Sequence, residues 1–148
     1  MMKLRLLTVI LFALVAFIAC KPTEKPEKHI AAFLAANKIN AIKDSSGLYY
    51  EVIKQGNGTF TYPENTQITI MYEGRLLNGE LVDDGGGTEQ TFKLSELIQG
   101  WRIGIPKIQK GGEIRLIIPP GLGYGNSAAG PIPGNSVLDF RIKLIDVQ

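Results

Sequence analysis

Cysteine and histidine are nearly absent from this sequence, and their scarcity argues against several classes of protein. The 148 residues include one cysteine, Cys20, and one histidine, His29. A single imidazole without a cluster of cysteines cannot build a structural zinc site, so we predict no metal and no cofactor. The sequence also has no Gly-x-Ser-x-Gly motif. A hydrolase or transferase with an activated nucleophile is therefore not expected.

An excess of charge of either sign is also absent. The chain has 16 basic and 14 acidic residues, and removal of Lys3 and Arg5 with the signal described below leaves 14 of each. A nucleic-acid binder needs a basic excess that neutralises phosphates, so we predict no nucleic-acid partner. The glycines at 85–87 are not followed by Lys-Ser/Thr and a helix, which argues against a phosphate-binding loop.

The N-terminus has the pattern of an export signal. Lys3 and Arg5 precede an apolar run over residues 6–19 that only Thr8 interrupts. A membrane-spanning helix needs about 20 apolar residues, so this run is short for a permanent span and typical of a cleaved signal. Residues 17–20, Phe-Ile-Ala-Cys, resemble a bacterial lipobox, with Phe in place of the commoner Leu.

We therefore predict a lipoprotein signal peptide over residues 1–19 and acylation of Cys20. The alternative is an ordinary secretory signal with an incidental cysteine, but a lone cysteine in an exported chain has no disulfide partner. Because each buried CH₂ contributes about 0.8 kcal/mol, a multiply acylated Cys20 would hold the protein firmly at a bilayer. The predicted location is the bacterial cell envelope, on a membrane surface that faces the periplasm.

Two short segments are predicted between the signal and the main domain. Residues 20–28 are rich in lysine, glutamate and proline, cannot bury enough apolar surface to order themselves, and are interpreted as a tether. Residues 29–45 are predicted as a helical segment, because Ile30, Phe33 and Leu34 have helical spacing. We expect this segment to pack on the domain or to act as a spacer, rather than to form a dimer.

From residue 46 the pattern changes to strands. Five strand segments are predicted, with a hairpin at Asn78-Gly79, and Tyr72 shares a strand face with neighbouring isoleucines. The apolar segment from Phe92 to Gly100-Trp101 is predicted as a short helix whose Trp packs under the sheet. The fold predicted for residues 46–148 is therefore α+β, an antiparallel sheet with one face wrapped on a helix and the other exposed to water.

Several motifs follow one another in a diagnostic order. The Trp101 segment precedes Ile-Ile-Pro-Pro-Gly-Leu-Gly-Tyr-Gly at 117–125, Pro-Ile-Pro-Gly-Asn-Ser at 131–136 and a last strand with Phe140. In this order they resemble the FKBP-type peptidyl-prolyl cis-trans isomerases, from Gly47 onward. The resemblance implies an FKBP-like antiparallel half-barrel wrapped on one short central helix.

The resemblance also implies roles for individual residues. Trp101 matches the residue whose indole face carries the prolyl ring. The Tyr124 hydroxyl and the Ile98 backbone N–H match donors to a substrate carbonyl, and Asp83 matches an acidic residue beside the twisted amide. Tyr72 is grouped with these four as a catalytic residue. The implied substrate-binding walls are Val82, Phe92, Leu97, Ile132 and Phe140.

The function implied is isomerisation of X-Pro bonds during the folding of exported proteins. Twisting the amide destroys its charge-separating resonance, so a dry aromatic pocket favours the twisted state without metal or nucleophile. The implied partners are proline-containing unfolded or partly folded polypeptides and macrolides of the FK506 type. The alternative is a non-catalytic module or chaperone that holds proline segments in the same groove. It is favoured by Val82 where the family usually has Phe, and by Asp-Asp-Gly at 83–85 where it has Asp-Ser-Ser.

Overall fold

An antiparallel sheet with one short helix on its inner face forms the body of the protein. The computed structural model describes residues 25–148, in which seven strands are ordered β1-β2-β6-β7-β3-β4, with β5 also paired to β3. The helices are α1 (Pro26–Ala36) and α2 (Gln99–Gly104), and the strands are β1 (Ile42–Lys43), β2 (Tyr49–Lys54), β3 (Gln67–Leu76), β4 (Leu81–Asp83), β5 (Gln90–Lys93), β6 (Glu113–Ile118) and β7 (Leu138–Val147). The predicted α+β fold, an antiparallel sheet wrapped on one short helix, is confirmed.

Side chains that point alternately to the two faces of β3, β6 and β7 build the main core. In β7 every second residue from Leu138 to Leu144 is buried, while Arg141 and Lys143 between them are exposed. Successive side chains of a strand point to opposite faces, so this alternation directs one apolar row toward α2. Burial of each such isoleucine or leucine stabilises the fold by about 1.5–3 kcal/mol relative to exposure.

Two glycines allow α2 to lie directly on β6. A Cβ atom added to Gly100 would lie 2.7 Å from the Ile118 side chain, and one added to Gly104 would lie 2.5 Å from Leu116. Such distances are too short for real carbon contacts, so larger residues would push the helix away from the sheet. The close approach holds Trp101, which is only 5% exposed, against the inner face.

Two strands were not predicted from the sequence. β1 lies inside the stretch 29–45 that was predicted as helical, and its Ile42 pairs with Tyr50 of β2. β5 contains Phe92, which was predicted to belong to the helical segment of Trp101. This strand pairs with the first half of β3. Both strands are short, with 2 and 4 residues, so they show almost no periodicity of their own.

The N-terminal helix begins earlier than predicted and packs on the outer face of the sheet. α1 begins at Pro26, inside the predicted tether, because proline is favoured in a first helical turn where its missing N–H needs no partner. Its buried residue Ile30 contacts Ile117 and Val137, and Phe33, Leu34, Tyr49 and Leu77 surround them. We call these seven residues the outer cluster. The prediction that the outer face is wet is therefore wrong where α1 covers it.

Two predictions concern residues outside the described range. The signal peptide over 1–19 and Cys20 lie there, as do the first residues of the tether. Among the residues that the structure describes, no helix combines the length and the apolar character needed to cross a bilayer.

The outer cluster generates a prediction about stability. Ile30 is 0% exposed, whereas Ile42 is 60% exposed, so the two isoleucines form a matched pair. We expect Ile30→Ala to lower the free energy of unfolding in urea by about 2–5 kcal/mol, since it leaves a cavity between α1 and the sheet. Ile42→Ala should change the free energy of unfolding by no more than about 0.5 kcal/mol. Equal losses in both variants would mean that the docking of α1 does not depend on Ile30.

Candidate functional site

Four aromatic rings pack together on the inner face of the sheet. The Trp101 ring meets the Tyr72 and Phe140 rings edge to face, with both pairs of centroids 5.0 Å apart. Phe92 completes the group, with centroids 6.4 Å from Trp101 and 6.3 Å from Tyr72. We call Tyr72, Phe92, Trp101 and Phe140 the aromatic pocket. Edge-to-face contacts of this kind hold rings in defined orientations, because the positive ring edge faces a negative ring face.

Each ring is supplied by a different element. Tyr72 belongs to β3, Phe92 to β5, Phe140 to β7 and Trp101 to α2. Phe140 fits beneath Tyr72 because its partner in register on β3 is Gly74, and a Cβ there would lie 2.2 Å from the Phe140 ring. The pocket thus depends on the absence of a side chain at Gly74 as well as on the four rings.

A hydrogen bond joins the pocket to the loop after β4. The Tyr72 hydroxyl donates to Asp83 Oδ2 at 2.9 Å, and the backbone N–H of Gly85 donates to Asp83 Oδ1 at 3.1 Å. Asp83 itself is exposed. Both of its oxygens are therefore engaged, one by the pocket wall and one by its own loop, which fixes the carboxylate at the rim.

Two tyrosine hydroxyls near this carboxylate stay protonated at neutral pH. Burial raises the pKa of Tyr72, and the hydrogen bond to Asp83 raises it further. Burial also raises the pKa of Tyr124, with a smaller contribution from the Asp83 charge. Tyr124 is 40% exposed, and the effect of the Asp83 charge on it shows that the two side chains lie near each other.

The other predicted site residues line the same region. Val82, Leu97, Ile98 and Ile132 pack in the hydrophobic core that holds the four rings. The Ile98 carbonyl accepts hydrogen bonds from the first turn of α2, while its own N–H bonds to no other residue within 25–148. The structure therefore brings all ten predicted pocket residues together, and their individual roles stay predictions. Cys20 lies outside the described residues.

Sequence reasoning missed the residues that hold the rim in place. Gln90 precedes Phe92 by two positions and donates from Nε2 to the Gly85 carbonyl at 2.9 Å. Recognition of β5 as a strand would have placed Gln90 and Phe92 on one face. Gly74 was also missed, and a glycine in the interior of a predicted strand is a sign of close approach.

A family model described as FKBP-type peptidyl-prolyl cis-trans isomerase matches residues 59–145, more than half of the chain. The chain belongs to this family. The FKBP-type peptidyl-prolyl cis-trans isomerase FkpA of Buchnera aphidicola subsp. Schizaphis graminum is 44% identical over 108 residues, which cover 72% of this chain and 43% of the relative. FkpA of Escherichia coli K12 is 39% identical over 114 residues, which cover 75% of this chain and 42% of the relative. This FKBP chain thus spans less than half the length of these relatives.

Solved structures of the family have the same fold as this FKBP domain. The crystal structure of FkpA from Escherichia coli matches with a TM-score of 0.74 and 34% identity, over 82% of this chain and 58% of that one. A peptidyl-prolyl cis-trans isomerase from Pseudomonas syringae matches with a TM-score of 0.69 and 29% identity, over 86% of this chain and 99% of that one.

The tyrosines of the FKBP domain generate a prediction about alkaline stability. Burial raises the pKa of Tyr72 and Tyr124, and it raises the pKa of Tyr62 to about 12. The folded state therefore keeps these protons at pH values above about 10, where the unfolded chain loses them. The stability that these groups contribute is complete below pH 10 and is lost as the pH rises.

We expect the free energy of unfolding of Tyr72→Phe to fall less steeply than that of the wild type between about pH 9 and pH 11. The measurement is urea denaturation at each pH. Lysines also titrate in this range, but they are common to both proteins and cancel in the comparison. Parallel curves would show that the Tyr72 hydroxyl titrates alike in the folded and unfolded states.

Proposed function

We propose that this domain is a peptidyl-prolyl cis-trans isomerase that accelerates X-Pro isomerisation during the folding of exported proteins. The observation that carries the proposal is the aromatic pocket, in which the Trp101 ring meets both Tyr72 and Phe140 edge to face and the partly exposed Tyr124 lies near Asp83. Among the described residues, these groups supply apolar walls and hydrogen-bond donors at one place. Amide rotation requires those two features and no nucleophile.

The pocket acts on the difference in polarity between planar and twisted amides. Resonance separates charge in the planar amide and creates a barrier of about 18–20 kcal/mol, and rotation removes that charge separation. Aromatic walls solvate the planar form poorly, so they favour the twisted transition state over the ground state. The prolyl ring stacks on the Trp101 indole, and each 1.36 kcal/mol taken from the barrier gives about a tenfold acceleration.

Hydrogen-bond donors orient the substrate around that ring. The Ile98 N–H, which has no acceptor inside the described chain, and the neutral Tyr124 hydroxyl donate to carbonyl oxygens of the bound segment. Asp83 acts by holding the Tyr72 hydroxyl, and its charge lies beside the rotating bond. A fixed donor costs no reorganisation when the amide rotates, which is the advantage of a preorganised site.

The substrates are proline-containing segments of unfolded or partly folded polypeptides, and FK506-type macrolides are the small ligands for the same pocket. Val82 has a smaller side chain than the Phe that is usual in the family, so the wall beside Asp83 is lower. We infer that this opening weakens recognition of a bulky residue before proline. It is also the observation that favours the second candidate, a clamp that binds proline segments without turnover.

The proposed setting is a lipoprotein of the bacterial cell envelope. Its support is the apolar run at 6–19 followed by the lipobox-like Phe-Ile-Ala-Cys at 17–20. In this arrangement a cleaved signal over 1–19 leaves an acylated Cys20 and a short tether before α1. The isomerase domain over 46–148 is then held at a membrane surface on the periplasmic side.

Two side chains give the clearest test of catalysis. We expect Tyr124→Phe to lower kcat/KM on short X-Pro peptides by about two- to tenfold, the effect of one lost hydrogen bond of about 0.5–1.5 kcal/mol. Asp83→Ala loses two hydrogen bonds and a charge, so it should lower kcat/KM at least as much. The matched control is Tyr49→Phe, which removes a hydroxyl from the outer cluster and should keep wild-type activity. Protease-coupled or NMR exchange assays give the rates.

The same experiment separates the isomerase from the clamp. Trp101 is the only tryptophan, so a change in its fluorescence reports binding in the pocket. A wild type that binds a proline peptide, changes Trp101 fluorescence and yet gives only the uncatalysed rate would make the clamp the correct function. A wild type that neither binds nor catalyses would remove both candidates.

The lipid anchor has a test of its own. We expect metabolic labelling with a radioactive fatty acid to mark the wild type, while Cys20→Ala is unlabelled and either soluble in the periplasm or uncleaved. Thr23→Ala, which changes a nearby tether residue and keeps Cys20, should be labelled like the wild type. An unlabelled and soluble wild type would instead indicate an ordinary secretory signal.

A further inference from the structure

The side chain of Gln90, at the start of β5, reaches across to the loop that follows Asp83. Its Nε2 donates to the Gly85 carbonyl oxygen at 2.9 Å and to Thr88 Oγ1 at 3.0 Å. Thr88 Oγ1 also donates to the Gly85 carbonyl, at 3.2 Å. The Gly85 carbonyl is therefore bound by two side chains at once.

The loop needs such support because its own backbone is unusually free. Gly85, Gly86 and Gly87 have φ angles of 60°, 70° and 69°, in the left-handed region that glycine enters readily. Glycine loses more conformational freedom on ordering than any other residue, and three occur in succession. Contacts from outside the glycine triplet must therefore hold this conformation.

Gly85 is also the residue through which the loop touches the pocket. Its N–H donates to Asp83 Oδ1 at 3.1 Å, and Asp83 Oδ2 accepts the Tyr72 hydroxyl at 2.9 Å. A Cβ added to Gly85 would lie 2.9 Å from Gln90 Cγ and 3.1 Å from Tyr72 Cε1. The Gly85 backbone is thus packed between Gln90 and the Tyr72 ring, and a shift of Gly85 would remove the N–H that holds Asp83 Oδ1.

We propose that Gln90 is a positioning residue for the isomerase reaction: it holds Gly85, and through Gly85 it holds the Asp83 carboxylate against Tyr72. The proposal rests on the proposed function for its catalytic consequence. Gln90 acts on the rim carboxylate and not on the ring walls that bind the prolyl group. Its loss should therefore lower kcat and leave KM nearly unchanged.

Three variants test the contact. Gln90→Leu keeps similar volume without the donor, and Gln90→Lys keeps N–H donors on a side chain that is one bond longer. Thr91→Ala is the control, because Thr91 lies on the opposite face of the same strand, where it bonds the Thr69 hydroxyl at 2.9 Å. The two readouts are amide hydrogen exchange at 85–87 and steady-state kinetics on short X-Pro peptides.

We expect Gln90→Leu to speed amide exchange at 85–87 by about tenfold and to lower kcat by about two- to tenfold, with KM within about twofold of wild type. Gln90→Lys should restore the slow exchange at 85–87, while its added charge near Asp83 means that kcat is not the readout for this variant. Thr91→Ala should change neither readout. In an Asp83→Ala background Gln90→Leu should lower kcat no further, since the group through which it acts is gone.

In an active enzyme, either of two results would overturn the proposal. Unchanged exchange at 85–87 in Gln90→Leu would mean that Gln90 does not hold the loop. An equal fall in kcat with and without Asp83 would mean that Gln90 acts by another route. If the wild type shows no isomerase activity, the proposed function fails and the proposed catalytic role of Gln90 is wrong with it, while the exchange rates still decide whether Gln90 holds the loop.

Discussion

The close contact between α2 and β6 is the constraint on which the rest of the domain depends. Gly100 and Gly104 face Ile118 and Leu116 with no space for a larger side chain. The helix therefore lies closer to the sheet than a helix with larger residues at these two positions could. Trp101, between the two glycines, is pressed onto the inner face, where Tyr72 and Phe140 meet it edge to face. A helix of 6 residues has little stability in isolation, and this packing supplies it. The same contact thus stabilises the core and sets the floor of the pocket.

A second constraint is the divided edge of β3. Its first half pairs with β5 and its second half with β4, so the chain must leave the sheet between them and return. The excursion is the glycine loop after Asp83, which therefore begins and ends beside Tyr72 at the middle of β3. Strand pairing on both sides of the loop explains why the carboxylate of Asp83, at the end of β4, is found within hydrogen-bond reach of the Tyr72 ring.

The long strands and the pocket rings could be predicted from the sequence, because alternation in β3 and β7 is strong and the motifs around Trp101 and Tyr124 are specific. The short strands could not, since β1 and β5 are ordered by pairing with neighbours that are distant in sequence. Gln90 lies in β5 and was not predicted as a site residue for that reason. The position of α1 could not be predicted either. An apolar helical stripe shows that a partner surface exists, but it does not say which face of the sheet supplies that surface.

The position of α1 has a geometric consequence for the two sides of the domain. The helix lies on the outer face of the sheet in contact with Ile117, whereas the four rings of the aromatic pocket lie in the cluster on the inner face. The two apolar clusters are therefore separated by the thickness of one sheet and share no side chain. A molecule that covers the outer surface of α1 leaves the rings on the other side of the sheet uncovered.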